Sequence, residues 1–508
     1  MTRTDNSFRN IKFILVFQVA TLIAAFITRR IFVLVLTKDY LGLTGTFGDI
    51  LSLLSLAELG VGTAIVYSLY KPLAEGNHGQ LTAIMALYRR VYRIIGIVIA
   101  ITGASLTPFL PFLIHDLPDI PYLNIIYLLF VLNSSLPYFY AYKQSLIIAD
   151  QRQYVITGWQ NGIQIALYFL QALFLVITHN YFVYLGLQIG ATLSKNVILA
   201  RYADRHYPFL RASMKETLDP CKKQEIVRNV KAMSVHNLGY VTLFGTDNLL
   251  IAYFVGLGAA ATYSNYLMIV SGIRTLYDYL LRAVTASVGN FCVSEDKEQV
   301  LPVFWIINFF VSWLIGFSSV CLALLLNPFI KLWVGADYLF SPEITLIIAL
   351  NFYVWGMRKA VLMFWNTYGL YWHGRFKPIV ECAVNLIISV LLARHFGVAG
   401  ILTGTIISTL TTCLWIEPSV LFHHAFHIKT GRFFRDYLIN TGVTVVAFLL
   451  TWSVSIIIPP DGIGWFIVKT LVCVVFSNAV FTVAYFRRNE FRSLVQMFRS
   501  RIRQRNCS

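Results

Sequence analysis

The sequence predicts an all-α, polytopic membrane protein with about 14 transmembrane helices, in two six-helix lobes plus two C-terminal helices. First, 57% of the 508 residues are hydrophobic and only 13% are charged, whereas a soluble protein carries roughly 25% charged residues. Second, the apolar residues fall in runs long enough to cross a bilayer, without the period-two alternation of a β-barrel. Third, the connections between these runs are short, which leaves no room for a large soluble domain.

The first six apolar segments form the predicted N-terminal lobe, residues 1–200. Segment one continues to about Leu36 without a small-residue cleavage site, so it is interpreted as a span and not as a signal peptide. Connections as short as Thr178-His179-Asn180 make neighbouring segments antiparallel hairpins. The six segments are placed at 12–36, 43–70, 91–114, 121–149, 155–178 and 181–200.

A basic, proline-containing stretch at 201–230 is interpreted as a cytoplasmic linker between two halves. It is followed by a C-terminal lobe at 231–421, two extra spans within 437–486 and a basic tail at 487–508. The halves share weak internal similarity, which is typical of transporters. The later segments are placed at 231–255, 259–291, 302–327, 341–366, 377–396, 398–421, 437–458 and 463–486.

Lysine and arginine are biased to one side of the predicted membrane. With the amino terminus inside, most of the 41 basic residues fall on inner loops and tails, and the outer loops carry Lys38, Lys331 and Arg394. This bias satisfies the positive-inside rule, so both termini are predicted to be cytoplasmic. The net charge of +17 is then explained by membrane lipids with anionic headgroups, and no nucleic-acid partner is expected.

Metal and cofactor chemistry is not predicted. The seven cysteines are scattered and include no CxxC pair, which argues against disulfides and a thiolate zinc site. His423 and His427 are spaced i, i+4, but only Glu417 could complete a metal site near them. The sequence has no Walker A motif, and no cofactor is expected.

The clearest candidate site lies in the segment at 259–291. Arg274, Asp278 and Arg282 are spaced i, i+4, i+8, which places them on one stripe of a helix. Charges inside a span are costly and are functional candidates by default. An ion triad that only locks helix packing would explain them too, but two cations around one anion favour an anion-binding role.

A second cationic candidate is the pair Arg29 and Arg30, late in the first segment. They lie about 27 Å along the helix from Lys12. Adjacent helical residues diverge by about 100°, so the two side chains cannot face the same way. One is expected to line a cavity while the other snorkels outward.

The acidic candidates are Asp49, Glu58 and Asp247. Each lies in a predicted span and could bind a coupling cation or proton, such as Na⁺ or H⁺, or pair with an arginine. Asp247 is the strongest of them for coupling, because it lies in the apolar stretch that opens the second lobe. Glu381 is expected near the cytoplasmic end of its span, at the membrane interface.

Several strings of the sequence form a recognisable set. They include Phe26-Ile27-Thr28-Arg29-Arg30-Ile31-Phe32, Tyr40-Leu41-Gly42-Leu43, Leu56-Ala57-Glu58-Leu59-Gly60-Val61-Gly62-Thr63-Ala64, Thr246-Asp247-Asn248, Tyr263-Ser264-Asn265-Tyr266 and Asn327-Pro328-Phe329-Ile330-Lys331-Leu332-Trp333. Together they resemble the bacterial polysaccharide transporter family, the O-antigen and capsule repeat-unit flippases. The resemblance covers about residues 8–420, and no single string would suffice for it. The family belongs to the multidrug/oligosaccharidyl-lipid/polysaccharide exporter superfamily, with the multidrug and toxin extruders and the lipid II flippases.

The resemblance implies transport and not bond chemistry, so the chain is not expected to be an enzyme. It implies a protein of the bacterial inner membrane that moves a polyprenyl-pyrophosphate-linked oligosaccharide to the outer leaflet by alternating access. In that case Arg29, Arg30, Arg274 and Arg282 would line a cationic cavity for the pyrophosphate and sugars. A polysaccharide polymerase and export machinery would be further partners.

Two alternatives remain open. A multidrug or cation antiporter of the same superfamily would need an acidic cavity, whereas the two candidate helices carry arginines. A membrane glycosyltransferase or polymerase is less favoured, because such enzymes usually need a large outer loop or a catalytic domain. The longest predicted outer loop, at 328–341, has Asp337 as its only carboxylate well inside the loop.

Overall fold

The structure, a computed structural model, describes residues 3–58, 61–114, 120–211, 224, 246–294, 297–459 and 462–496. Every regular element in these ranges is a helix, which confirms the all-α prediction. The chain divides into two compact units, Met1–Ser264 and Asn265–Ser508. The predicted boundaries of the lobes and linker, at 200 and 231, stay predictions, because most of 212–245 lies outside the described ranges.

The first unit contains the helices up to Phe254 and the start of the next. Its core is formed by helical faces that bring large apolar and aromatic side chains together, among them Tyr88, Tyr92, Leu146 and Leu199. The helices are α1 (Arg3–Val35), α2 (Lys38–Leu54), α3 (Val61–Ala74), α4 (His78–Ser105), α5 (Leu110–Leu113), α6 (Leu123–Ser135), α7 (Ala141–Ala149), α8 (Gln153–Thr178), α9 (Tyr181–His206) and α10 (Thr246–Phe254), with 3₁₀ turns at Ser55–Glu58, Thr107–Phe109, Leu136–Phe139 and Pro208–Arg211.

Two predicted spans of the first unit are interrupted. The segment at 43–70 consists of α2, the 3₁₀ turn Ser55–Glu58 and α3. The segment at 121–149 bends by 44° between Leu123–Phe139 and Ala141–Ala149. Pro137 lies in the 3₁₀ turn before this bend, and proline removes a backbone donor and clashes with the preceding helical turn.

The second unit continues from the middle of one long helix. The helices are α11 (Leu257–Ser294), α12 (Lys297–Trp333), α13 (Pro342–Met357), α14 (Lys359–Thr367), α15 (Lys377–Ser408), α16 (Leu414–Leu421), α17 (Gly431–Ser455) and α18 (Ile463–Tyr485), with a 3₁₀ turn at Ala336–Tyr338 and π-helical turns at Thr409–Cys413 and Phe422–Phe426.

The last two helices, the predicted extra pair, pack against α12. Phe309 and Val320 of α12 share an apolar cluster with Ala447 of α17 and Phe481 of α18. Gly316 permits this approach, because a Cβ at that position would lie 2.6 Å from the Thr444 hydroxyl. The extra pair is therefore part of the second unit's core.

The helix α15 contains a reversal at Gly397. This glycine has φ 53° and ψ −128°, a left-handed conformation that L side chains rarely adopt. The chains on either side run back along each other, since the Ser389 hydroxyl donates to the Ile401 carbonyl at 3.1 Å. The reversal accounts for the two predicted segments at 377–396 and 398–421, which are joined through this one residue.

Nine helices in the described ranges are long and apolar enough to cross a membrane, or ten if the bent pair counts as one span. The Lys377–Phe426 stretch is counted once among these nine, although it contains the reversal. The predicted segment at 231–255 is described only from 246. With this number of apolar helices the chain is a multi-pass membrane protein.

Candidate functional site

The charged stripe predicted on α11 is present in the second unit. Arg274 and Asp278 are partly buried, and Arg282 is exposed. The Asp278 carboxylate pairs with Lys359, at the start of α14, with 2.6 Å between Nζ and Oδ1. The predicted stripe thus acquires a third cation, from a helix that the sequence analysis did not connect with it.

The indole of Trp355 joins these charges. The Arg274 guanidinium carbon lies 4.8 Å from the ring centroid, and Lys359 Nζ lies 4.1 Å from the Trp355 ring. Both separations are within the range of a cation–π interaction. Arg274, Asp278, Trp355 and Lys359 form one group, called the Lys359 cluster below.

A second charged group lies beside it. The Arg358 guanidinium donates to both oxygens of Glu417, at 3.0 Å from Nε and 2.5 Å from Nη2, and to Glu381 at 3.3 Å. Lys377 also donates to Glu417, at 2.5 Å. The side chains of Arg358 and Lys377 are 16% and 13% exposed, and the carboxylates of Glu381 and Glu417 are 3% and 1% exposed. These four residues are called the Arg358 cluster.

One backbone feature separates the two clusters. Arg358 lies between α13, which ends at Met357, and α14, which begins at Lys359. Adjacent residues on a helical backbone point in directions that differ by about 100°. Arg358 therefore reaches α15 and α16, while Lys359 reaches α11.

The predicted site residues do not include Arg358, Lys359, Lys377 or Trp355. A signal was present, because Arg358 and Lys359 are adjacent basic residues inside the apolar segment at 341–366. Arg29 and Arg30 are candidates for the same reason, since they too are adjacent basic residues inside an apolar segment. The Glu381 side chain is buried against Arg358, and its predicted position near the membrane interface stays a prediction. Sequence spacing alone does not reveal this pairing, since the partners are on different helices.

Arg29 and Arg30, in the first unit, differ in their exposure. Arg29 is partly buried and lies within electrostatic range of Tyr168, Tyr181 and Tyr184, on α8 and α9. Arg30 is exposed. The predicted divergence of the two side chains is present, but substrate binding by either residue stays a prediction.

The acidic candidates of the first unit have specific partners. Asp49 hydrogen-bonds with Asn248 of α10, the residue after Asp247. Glu58 accepts a hydrogen bond from the Tyr92 hydroxyl at 3.1 Å and a further one from Tyr138. These contacts link helices, and a coupling role for Asp49, Glu58 or Asp247 stays a prediction.

The residues near the C-terminal end of Lys377–Phe426 are engaged in other contacts. Glu417, the carboxylate considered for a metal site, is bound by Arg358 and Lys377. A ring nitrogen of His427, Nδ1, lies 2.9 Å from the His423 carbonyl. Within the described ranges, no group of three or more His, Cys, Asp or Glu side chains could hold a metal ion.

The fold is similar to that of known membrane transporters. The chain matches a lipid II flippase, MurJ in an inward closed conformation, with a TM-score of 0.64 and 14% identity over 95% of this chain and 100% of that one. It matches an inward-facing multidrug resistance MATE family transporter of the MOP superfamily with a TM-score of 0.57 and 13% identity, over 79% of this chain and 94% of that one. A MATE transporter of Vibrio cholerae gives a TM-score of 0.50 and 14% identity, over 84% and 100% of the two chains.

No protein-family model matches the chain, and no curated protein matches it in sequence. The structural similarity therefore concerns the fold. Membership of the polysaccharide transporter family stays a prediction from the sequence. The chain has the fold that MurJ and the MATE transporters share.

Proposed function

We propose that this chain is a flippase that moves a polyprenyl-pyrophosphate-linked oligosaccharide from the cytoplasmic to the outer leaflet, for surface polysaccharide biosynthesis. The Lys359 cluster supports this most directly: two cations and one carboxylate lie around a partly buried indole in a unit made of apolar helices. Phosphate oxygens accept charge-assisted hydrogen bonds from arginine and lysine, so a pyrophosphate could contact both cations. An indole offers a flat face for a sugar ring.

The transport problem explains why arginine would suit this role. A pyrophosphate and several sugars have to pass the hydrocarbon layer while the prenyl tail remains in lipid. The guanidinium of Arg274 or Arg282 can bind two phosphate oxygens in a planar bidentate geometry that a lysine does not reproduce. Arg274 and Arg282 lie about 12 Å apart along α11, which is the scale of a pyrophosphate plus its first sugar.

The protein is proposed to lie in the bacterial inner membrane with both termini in the cytoplasm. The lysine and arginine bias of the loops supports this orientation. A single cysteine placed at Asn180 or Gly258, at the ends of predicted outer connections, should be labelled by a membrane-impermeant reagent applied from outside. Labelling of Gly258→Cys from the cytoplasm alone would reverse the orientation.

Deletion of the gene in its native host tests the function. The expected result is loss of one surface glycan together with accumulation of lipid-linked repeat units on the inner side. The Arg274→Ala chain at wild-type abundance should fail to restore export, whereas the Lys469→Ala chain, changed in the extra helix α18, should restore it. Unchanged surface glycans in the deletion strain would refute the proposal.

A multidrug or cation antiporter is the second candidate. The carboxylates of Asp49 and Glu58 in the first unit favour it, because each is partly buried and hydrogen-bonded. Such an antiporter would bind cations through these acids, and it should raise drug resistance when overproduced.

Flippase activity could use the same acids, or Asp247, for coupling to Na⁺ or H⁺. Dependence of glycan export on one of these ions, lost in Asp247→Asn, would identify the coupling residue.

A further inference from the structure

Lys359 is held by two contacts and follows an anchored residue in the chain. Its ammonium group pairs with Asp278 on α11, and it lies over the Trp355 ring one helical turn earlier in the chain. On its other side, the neighbouring residue Arg358 is fixed by Glu417 and Glu381. The backbone next to Lys359 is therefore anchored by the Arg358 cluster.

The Asp278 carboxylate is more accessible than its partner. The Asp278 side chain is 43% exposed, whereas that of Lys359 is 18% exposed. A carboxylate and a phosphate offer the same kind of negatively charged oxygen acceptor to an ammonium group. A phosphate that approaches from the exposed side of Asp278 would therefore compete with it for Lys359.

The indole adds a second element of recognition. Arg274 and Lys359 both lie within 5 Å of the Trp355 ring centroid, so a phosphate held between the two cations would be adjacent to the ring. The apolar face of a sugar ring packs well on an indole. A phosphate joined directly to a sugar satisfies both features, whereas a free anion satisfies one.

We propose that Lys359, Arg274 and Trp355 form a subsite for the phosphate-linked first sugar of the substrate. Asp278 stays paired with Lys359 until the substrate phosphate displaces it. This inference rests on the proposed flippase function. Asp278 keeps Lys359 compensated in the empty protein, which lowers the cost of an ammonium group at membrane depth. Substrate binding then exchanges one anion for another and leaves the Arg358 cluster undisturbed.

The exchange predicts opposite effects from two substitutions. Binding is measured with full-length protein in lipid nanodiscs and undecaprenyl pyrophosphate carrying one N-acetylhexosamine as the probe. Lys359→Ala should weaken binding by about 10- to 100-fold, because a charge-assisted contact is lost. Asp278→Asn should tighten binding by about tenfold, because the competing anion is removed. A misfolded variant would weaken binding in both cases, so the opposite signs separate the exchange from damage to the fold.

Further variants assign the role of the indole and control for charge. Trp355→Ala should weaken binding of the sugar-bearing probe more than binding of undecaprenyl pyrophosphate alone, and Trp355→Phe should retain part of the difference. Lys469→Ala, which removes a lysine from α18, should bind as the wild type does.

Three outcomes decide between the claims. Wild-type binding with the opposite shifts in Lys359→Ala and Asp278→Asn supports the exchange. Wild-type binding that neither variant changes overturns the exchange and leaves the flippase proposal standing. Absence of wild-type binding to either probe overturns the flippase proposal and the exchange with it.

Discussion

The Arg358 cluster and the Lys359 cluster differ in charge balance and exposure, although they begin at adjacent residues. The Arg358 cluster contains two cations and two carboxylates, and both carboxylates are almost completely buried. The Lys359 cluster contains two cations and one carboxylate, and that carboxylate is 43% exposed. If the Lys359 cluster binds substrate, as proposed, exposure distinguishes binding charges from structural charges better than residue type does.

The physical basis of the contrast is desolvation. A buried ion pair recovers its desolvation cost only when the geometry is good and the remaining hydrogen-bonding groups are satisfied. The Arg358 cluster meets this condition, since one guanidinium bridges two carboxylates and a lysine completes the set. The Lys359 cluster differs, since its carboxylate accepts from Lys359 and is 43% exposed.

Removing the central cation of each cluster should produce the largest difference in stability between the two clusters. Arg358→Ala leaves Glu381 and Glu417 buried with Lys377 as the remaining cation of the cluster, and it should reduce stability by about 3–5 kcal/mol. Lys359→Ala affects a pair that is partly exposed, and it should cost about 1 kcal/mol or less. Thermal unfolding of the two purified variants in detergent measures both effects. Equal losses would show that the two clusters are both structural.

The two carboxylates of the Arg358 cluster differ in how many contacts they accept. Glu417 accepts from Arg358 through both oxygens and from Lys377, whereas Glu381 accepts from Arg358 at 3.3 Å. Glu417→Gln should therefore lower stability by about 3 kcal/mol, and Glu381→Gln by about 1–2 kcal/mol. Unfolding midpoints in the reverse order would mean that Glu381 is the principal partner of Arg358.

Much of the fold could be predicted from composition and periodicity. Spans such as α8 and α9 are continuous apolar helices, so their hydropathy locates them within a few residues. The reversal at Gly397 also follows from sequence, because two apolar segments meet at a glycine. The turn at Arg358 between α13 and α14 could not be predicted from sequence, because Arg358 and Lys359 contact partners on other helices.

The candidate site could be predicted only in part. The i, i+4, i+8 stripe on α11 is a local pattern, so sequence spacing reveals it. The pairing of Asp278 with Lys359 joins residues 81 positions apart, and no local rule selects that partner. The burial of Glu381 and Glu417 depends on the same long-range packing.

Substitutions along α11 test Arg274, the arginine of the Lys359 cluster, and Arg282, which lies outside that cluster. Arg274→Ala should reduce glycan export by about 10- to 100-fold, because a charge-assisted contact to phosphate is lost. Arg282→Ala should also reduce export strongly, and Arg→Lys at either position should restore it in part, since lysine lacks the bidentate geometry. Export is measured as surface glycan in the complemented deletion strain at matched membrane abundance. Normal export by both alanine variants would make the stripe structural and direct the search to other helices.

The pair Arg29 and Arg30 in the first unit extends the comparison to a second place where two basic residues are adjacent. Arg29 is partly buried near three tyrosines, as Arg358 is partly buried between two carboxylates, and Arg30 is exposed. If exposure marks function, Arg30→Ala should lower export by about tenfold, the effect of losing one charge-assisted contact, with a small change in stability. Arg29→Ala should cost about 1–2 kcal/mol of stability through lost packing and hydrogen bonding, with export falling only in proportion to the folded protein that remains. Surface glycan and unfolding temperature, measured on the same two variants, separate these effects. Export lost in Arg29→Ala at full stability and retained in Arg30→Ala would mean that exposure does not identify the transport residue in this unit.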